Sequence, residues 1–188
     1  MSVTADYVPI DLPSAPTRYT DPRAHELRER YVATYGGAEI PVPVESIAED
    51  LLGLRIEEDD LGECSGMLIP AKRLIKVNAS EATSGDTPTH RQRFTIAHEL
   101  GHWICHANGM EQAAPTYCRS QDVSQDTERA LEREANVFGA ELLTPEAAVR
   151  EAWAVLPDRD ELASRFGVSA LAAQWRIYSF GLVKTRPV

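Results

Sequence analysis

The stretch "QRFTIAHELGHWICH", Gln92 to His106, constrains this chain more than any other. Phe94, Ile96, Leu100, Trp103 and Ile104 give it an apolar face, and the spacing predicts a helix from His90 to Cys105 or His106. Three histidines and a glutamate are threaded through that helix. Taking imidazoles and a carboxylate out of water is costly unless something pairs with them, so a fold that buries this helix must also supply a partner. His98 and His102 are four residues apart and stand one above the other on one face. From there both reach a single Zn2+ ion at about 2.0–2.1 Å. Glu99, one residue on, is turned away from direct ligation and lies beside the open coordination position, where it can take a proton as general base. His106 is about 12 Å from His98 along the helix axis, too far to share the ion. It reads either as a helix-end group interacting with the dipole or as a support for one of the ligands.

A catalytic zinc takes three protein ligands and keeps one position open. The best source of the third is "TERALEREANVFGAELLTP", where Leu131, Ala135, Phe138 and Leu142 form a core stripe at helical spacing. Glu128, Glu132, Asn136, Gly139 and Leu143 run along one flank of the stripe, and Glu134 and Glu141 along the other, which reads as more solvated. Glu132 is therefore the carboxylate best placed to point into a half-buried site, with Glu134 as the alternative. Asn136, one turn beyond Glu132, is placed to hydrogen-bond a ligand from behind. Gly101 and Gly139 each cost about 1 kcal/mol relative to alanine inside a helix. A close passage of the two helices at these glycines is one explanation of both, and structural glycines unrelated to the site are the other. Tyr117, His90 and Arg176 are candidates for stabilising an oxyanion, with a structural role as the other reading of each.

A chain of 188 residues is long enough for one domain with a sizeable core. Residues 1–21 read as an extended N-terminal arm. Helices are expected at 22–35, with Asp21 as cap, and at 44–52. Strands are expected at 54–58, 66–70 and 73–78, the last two forming a hairpin. After a polar loop at 79–89 and the histidine helix comes an irregular segment, 107–126; helices follow at 127–143, 145–155, 158–165 and 169–180. The class is α+β, mostly helical, with a small, mainly antiparallel three-stranded sheet.

Hydrophobic content of 43% and charged content of 26% are ordinary for a soluble protein. A net charge of −10 opposes unspecific binding to a phosphate backbone. No apolar run reaches the roughly 18 residues of a membrane span, and the N-terminus lacks the basic start and apolar core of a secretory signal. Cys64, Cys105 and Cys118 are odd in number and without C-x-x-C spacing, which reads as reduced thiols and a cytoplasmic location. One rival function lies in "ELASRFGVSALAAQWRI", which has helix-turn-helix cadence with Gly167 in the turn and Ser169 capping the second helix. From Pro157 to Val188 five basic side chains stand against three acidic ones, so a DNA-binding module is one reading of 158–182. A helical pair completing the larger domain is the other.

With both helices read, "RFTIAHELGHWICH" and "EREANVFGAELLTP" resemble the ImmA/IrrE family of zinc metallopeptidases. The preceding helix, strands and hairpin also follow the family's order, so the resemblance covers roughly 40–150. It implies a gluzincin arrangement within one zincin-like metallopeptidase domain, 22–188, with His98 and His102 as ligands and Glu99 as the catalytic glutamate. The third ligand then comes from an E-x-x-x-N pattern, here Glu132 to Asn136. It further implies a site-specific protease, or a protease-like switch, acting on a helix-turn-helix repressor. A zinc-bearing protein that sequesters a repressor without cleaving it is the competing reading. Thr144 departs from the methionine that many relatives place before the proline.

Overall fold

The computed structural model describes residues 19–37, 40–81, 89–107, 109, 116–118 and 126–187. The expected N-terminal arm lies outside the described residues up to residue 18. Helix α1, Pro22–Tyr35, starts where the sequence predicts: the Asp21 side chain accepts from the Arg23 backbone N–H at 2.9 Å, and proline takes the first turn. Helix α2 is a short α-turn, Val44–Ser46, that continues as a π-turn over Ile47–Leu51.

The sheet is built from β1 (Arg55–Asp59), β2 (Gly66–Ile69), β3 (Leu74–Asn78) and a short β4 (Tyr117–Cys118), in the order β1-β3-β2-β4. β1 runs parallel to β3, while β2 is antiparallel to both β3 and β4. The three expected strands are present, and β4 extends the sheet from within the segment read as irregular. Two residues carry too little alternation to register as a strand; their pairing with Met67 and Leu68 makes them one. The hairpin between β2 and β3 closes on Arg73, whose φ of 50° is left-handed. Its guanidinium compensates by hydrogen-bonding the carbonyls of Leu52 and Gly53 and lying over the Trp103 ring at 4.9 Å.

Helix α3 (His90–His102), capped by Thr89, lies between the sheet and α4 (Asp126–Leu143). Beyond His102 it widens into a π-turn, Trp103–Ala107. Ile96, Ala97, Leu100 and Trp103 from α3 join Leu68, Ile75 and Val77 from the sheet and Phe138, Leu142 and Leu143 from α4 in one core. Helix α5 (Glu146–Val155) follows, then α6 (Arg159–Phe166) and α7 (Ala170–Ser179), separated by Gly167 in the left-handed conformation.

Three expectations need correction. Glu141 is not on a solvated flank but 6% exposed, because α7 packs over it and supplies Arg176 at 2.5 Å. Arg176 donates as well to the carbonyls of Tyr19 and Thr144, so it is an interior tie, not a surface cation for DNA or an oxyanion group. Of the three cysteines read as reduced, Cys105 is free but Cys64 is disulfide-bonded. The cysteine argument for a reducing compartment therefore falls. Among the described residues no helix is long and apolar enough to cross a membrane.

Candidate metal centre

Helices α3 and α4 meet where each has a glycine. A Cβ on Gly101 would sit 2.9 Å from Cα and O of Ala135, and one on Gly139 would sit 3.1 Å from the His98 nitrogen. No other residue type permits this approach without a shift, so the helix-propensity cost of both glycines is offset by contact between backbones. On α3 the whole run from Thr95 to His102 is buried at the crossing, including His98, Glu99 and His102 at 0% exposure. Glu132, three residues before Ala135 on α4, enters the same space with its side chain 15% exposed.

Three ligand-type groups converge there. His102 Nε2 lies 3.1 Å from His98 Nε2 and 3.0 Å from Glu132 Oε1, and His98 Nε2 lies 3.1 Å from Glu132 Oε2. Ligand atoms held at about 2.0–2.1 Å in a tetrahedral shell are about 3.3 Å from one another. The observed triangle fits such an ion after a small expansion. Burial alone would raise the Glu132 carboxyl, but the His102 and His98 imidazoles against it outweigh burial and hold the group below the usual carboxylate range. Among the described residues, His98, His102 and Glu132 are the cluster of His, Cys, Asp or Glu with metal-holding geometry.

The rear faces of the two imidazoles are also occupied. His98 Nδ1 is 2.9 Å from Asn136 Oδ1, so that amide accepts and leaves Nε2 bare towards the triangle. His102 Nδ1 is 3.1 Å from His106 Nδ1, and His106 Nε2 is 3.0 Å from Glu134 Oε2. Glu134 is thus not brought to the triangle; it faces His106 and Arg23, which draw its carboxyl below the usual range. Of the oxyanion candidates, His90 is exposed at the far end of α3, and Tyr117 stacks on the His102 ring at 4.6 Å between centroids.

Glu99 faces β2. A Cβ on Gly66 would lie 2.3 Å from Thr95 Cγ2 and 3.0 Å from Glu99 Oε1, so the first residue of β2 must be glycine for the strand to pass this carboxylate. Sequence reasoning did not find Gly66 or Arg23 as neighbours of the site, and it held Glu134 only as an alternative ligand rather than as a partner of His106. Gly66 had no helical context to mark it as costly, and Arg23 lies on α1, remote in sequence from both helices. The π-turn after His102 was equally invisible.

A family model described as the IrrE N-terminal-like domain of the peptidase M78 family matches residues 82–178, just over half of the chain. The chain is 25% identical over 143 residues to Metallopeptidase ImmA of Bacillus subtilis (strain 168), covering 73% of this chain and 76% of that protein. A solved Mycobacterium tuberculosis transcriptional regulator superposes with a TM-score of 0.54 at 18% identity, over 82% of this chain and 46% of that one. The chain thus spans about half the length of that structure, and the likeness is one of fold.

Proposed function

The chain belongs to the IrrE N-terminal-like peptidase family, and from that premise we propose that it is a zinc-dependent endopeptidase that cleaves a helix-turn-helix transcriptional repressor at a specific peptide bond. The observation that carries the proposal is the convergence of His98 Nε2, His102 Nε2 and a Glu132 carboxylate within 4.8 Å of one another, beside a fully buried Glu99. Two imidazoles and one carboxylate are the donor set of a hydrolytic zinc site. When bound, zinc would polarise the scissile carbonyl and acidify the attacking water.

The remaining chemistry belongs to the chain. Glu99 accepts the proton released as water attacks the carbonyl carbon, then returns it to the nitrogen of the leaving amine. Asn136 fixes the orientation of His98 by accepting its Nδ1 proton. The crossing at Gly101 and Gly139 keeps Glu132 at a constant distance from the histidines. The support for a repressor as substrate is the family resemblance of the two helices; the likeness to Metallopeptidase ImmA supports peptidase chemistry. Sequestration of the repressor without hydrolysis makes a different prediction.

Glu99→Gln separates the two. The variant should keep its zinc and its fold, while cleavage of a purified repressor, followed by gel electrophoresis and mass spectrometry, should slow by about 10²-fold or more, the usual worth of a general base. If the Gln variant silences the repressor as well as the wild type does, hydrolysis is not how the protein acts.

A further inference from the structure

A histidine that ligates a metal through one ring nitrogen almost always gives its other N–H to a carboxylate, a carbonyl or water. His98 obeys this through the Asn136 amide oxygen, but His102 faces a second imidazole. An imidazole can accept only through a nitrogen that carries no proton. His106 meets that condition if its proton is on Nε2, and Nε2 has an acceptor for it, Glu134 Oε2 at 3.0 Å. The other oxygen of Glu134 takes a hydrogen bond from Arg23 Nη2 at 2.7 Å. Arg23 is itself held by the α1 cap residue, Asp21, through Nε at 3.0 Å and Nη2 at 2.7 Å.

We propose that His106, Glu134 and Arg23 form a positioning relay that fixes the tautomer and orientation of His102 for metal binding. The relay rests on the metal-site reading above. Each link has one direction: Arg23 donates to Glu134, His106 Nε2–H donates to Glu134, and His102 Nδ1–H donates to His106 Nδ1. The sole remaining lone pair on His102 is then that of Nε2, which faces His98 and Glu132. Both nitrogens of His106 are committed to side chains, so the residue is not serving the last carbonyls of its helix. The π-turn that begins directly after His102 carries the His106 ring, whose centroid lies 5.2 Å from that of His102 at a 52° tilt. π-turns of this kind recur at functional sites. Glu134, a rival for the third ligand position in the sequence, instead determines which nitrogen of His106 is bare.

Zinc affinity of the full chain, measured by chelator competition beside thermal unfolding of the metal-free protein, tests the relay. His106→Leu should weaken zinc binding about 10–100-fold, the usual effect of losing a ligand's hydrogen-bond partner. His106→Asn should recover most of that loss, because its amide oxygen occupies the position of Nδ1, as Asn136 does for His98. A Leu variant that binds zinc like the wild type overturns the relay, and so does an Asn variant that binds as poorly as Leu. His98→Ala is the control that separates the two readings: if it too keeps full affinity, the metal site itself is wrong and the relay falls with it. Nitrogen-15 NMR of the zinc-loaded wild type needs no variant to fold. It should find the His106 proton on Nε2 and Nδ1 bare; a proton on Nδ1 overturns the proposal.

Discussion

Glu132 and Glu141 lie on the same helix, α4, and both point inward, yet they meet opposite kinds of partner. Glu141 meets a cation. Arg176 reaches it at 2.5 Å through Nη2, and its Nη1 and Nη2 also donate to the carbonyls of Tyr19 and Thr144. Burial pushes the Glu141 carboxyl up and the Arg176 guanidinium down, so each charge is maintained by the other. Glu132 meets two imidazoles whose rear nitrogens are already paired and whose Nε2 atoms face each other at 3.1 Å. Bare lone pairs and a carboxylate at that distance ask for a cation from outside the chain. One buried carboxylate is complete within the fold and the other lies in a candidate binding site. The difference is in the partner's charge rather than in burial.

The strongest way to break this comparison is to neutralise each carboxylate in turn. Glu141→Gln leaves Arg176 buried without its counter-charge and should cost about 3–5 kcal/mol in denaturant unfolding. The folded fraction should keep its zinc affinity. Glu132→Gln should do the reverse, with zinc binding collapsing in a chelator titration while the metal-free protein melts close to wild type. If both variants lose stability equally and neither loses metal, the two sites do not differ in kind.

A smaller effect is expected at the helix crossing. Gly101→Ala forces a Cβ to within 2.9 Å of the Ala135 backbone, which cannot yield as a side-chain tip would. Pushing α4 away should destabilise the protein by about 1–3 kcal/mol, less the gain in helix propensity. Zinc affinity should fall with it, because Glu132 moves with α4. Unchanged affinity in a destabilised variant would show that the ligands tolerate the displacement. The smallest effect belongs to the exposed pair Lys76–Asp59 at 2.5 Å. A hydrogen bond from Lys76 holds the Asp59 carboxyl below its usual range. Its folded value is thus depressed, so its stabilising contribution is present above the ordinary carboxylate pKa and is lost as pH falls through that range. Asp59→Asn should slightly flatten the acid limb of a melting-temperature profile, and a large change there would contradict the solvent screening expected of an exposed pair.

Much of the fold and most of the candidate site were legible because they rest on local rules. The limits of α1 follow from a capping aspartate, a first-turn proline and a terminal glycine, all within two residues of the helix ends. The pairing of His98 with His102 follows from helical period, and the choice of Glu132 over Glu134 from which flank of the Phe138 stripe it occupies. That same flank argument failed for Glu141, which is buried, while Glu134 keeps a side chain 41% exposed. A periodicity reports only that a face differs from the core stripe, not whether another helix covers it. α7 covers Glu141, and Arg23 from α1 and His106 from the π-turn after α3 reach Glu134.

The sequence by itself determined which residues could share an ion, because the rise and turn of one helix fix the relation of His98 to His102 regardless of the rest of the chain. It also determined that two helices needed glycines where alanine would have been the better helix former. Tertiary structure alone decided what those choices serve: that Gly101 and Gly139 face each other's helices, that Gly66 passes Glu99, that a two-residue strand brings Tyr117 onto His102, and that an arginine on α1 stands behind the candidate metal site. Each of these depends on contacts between segments distant in the chain, whose distances no local period encodes. Burial then gives them their weight, since a misplaced polar group inside the protein has no water to correct it.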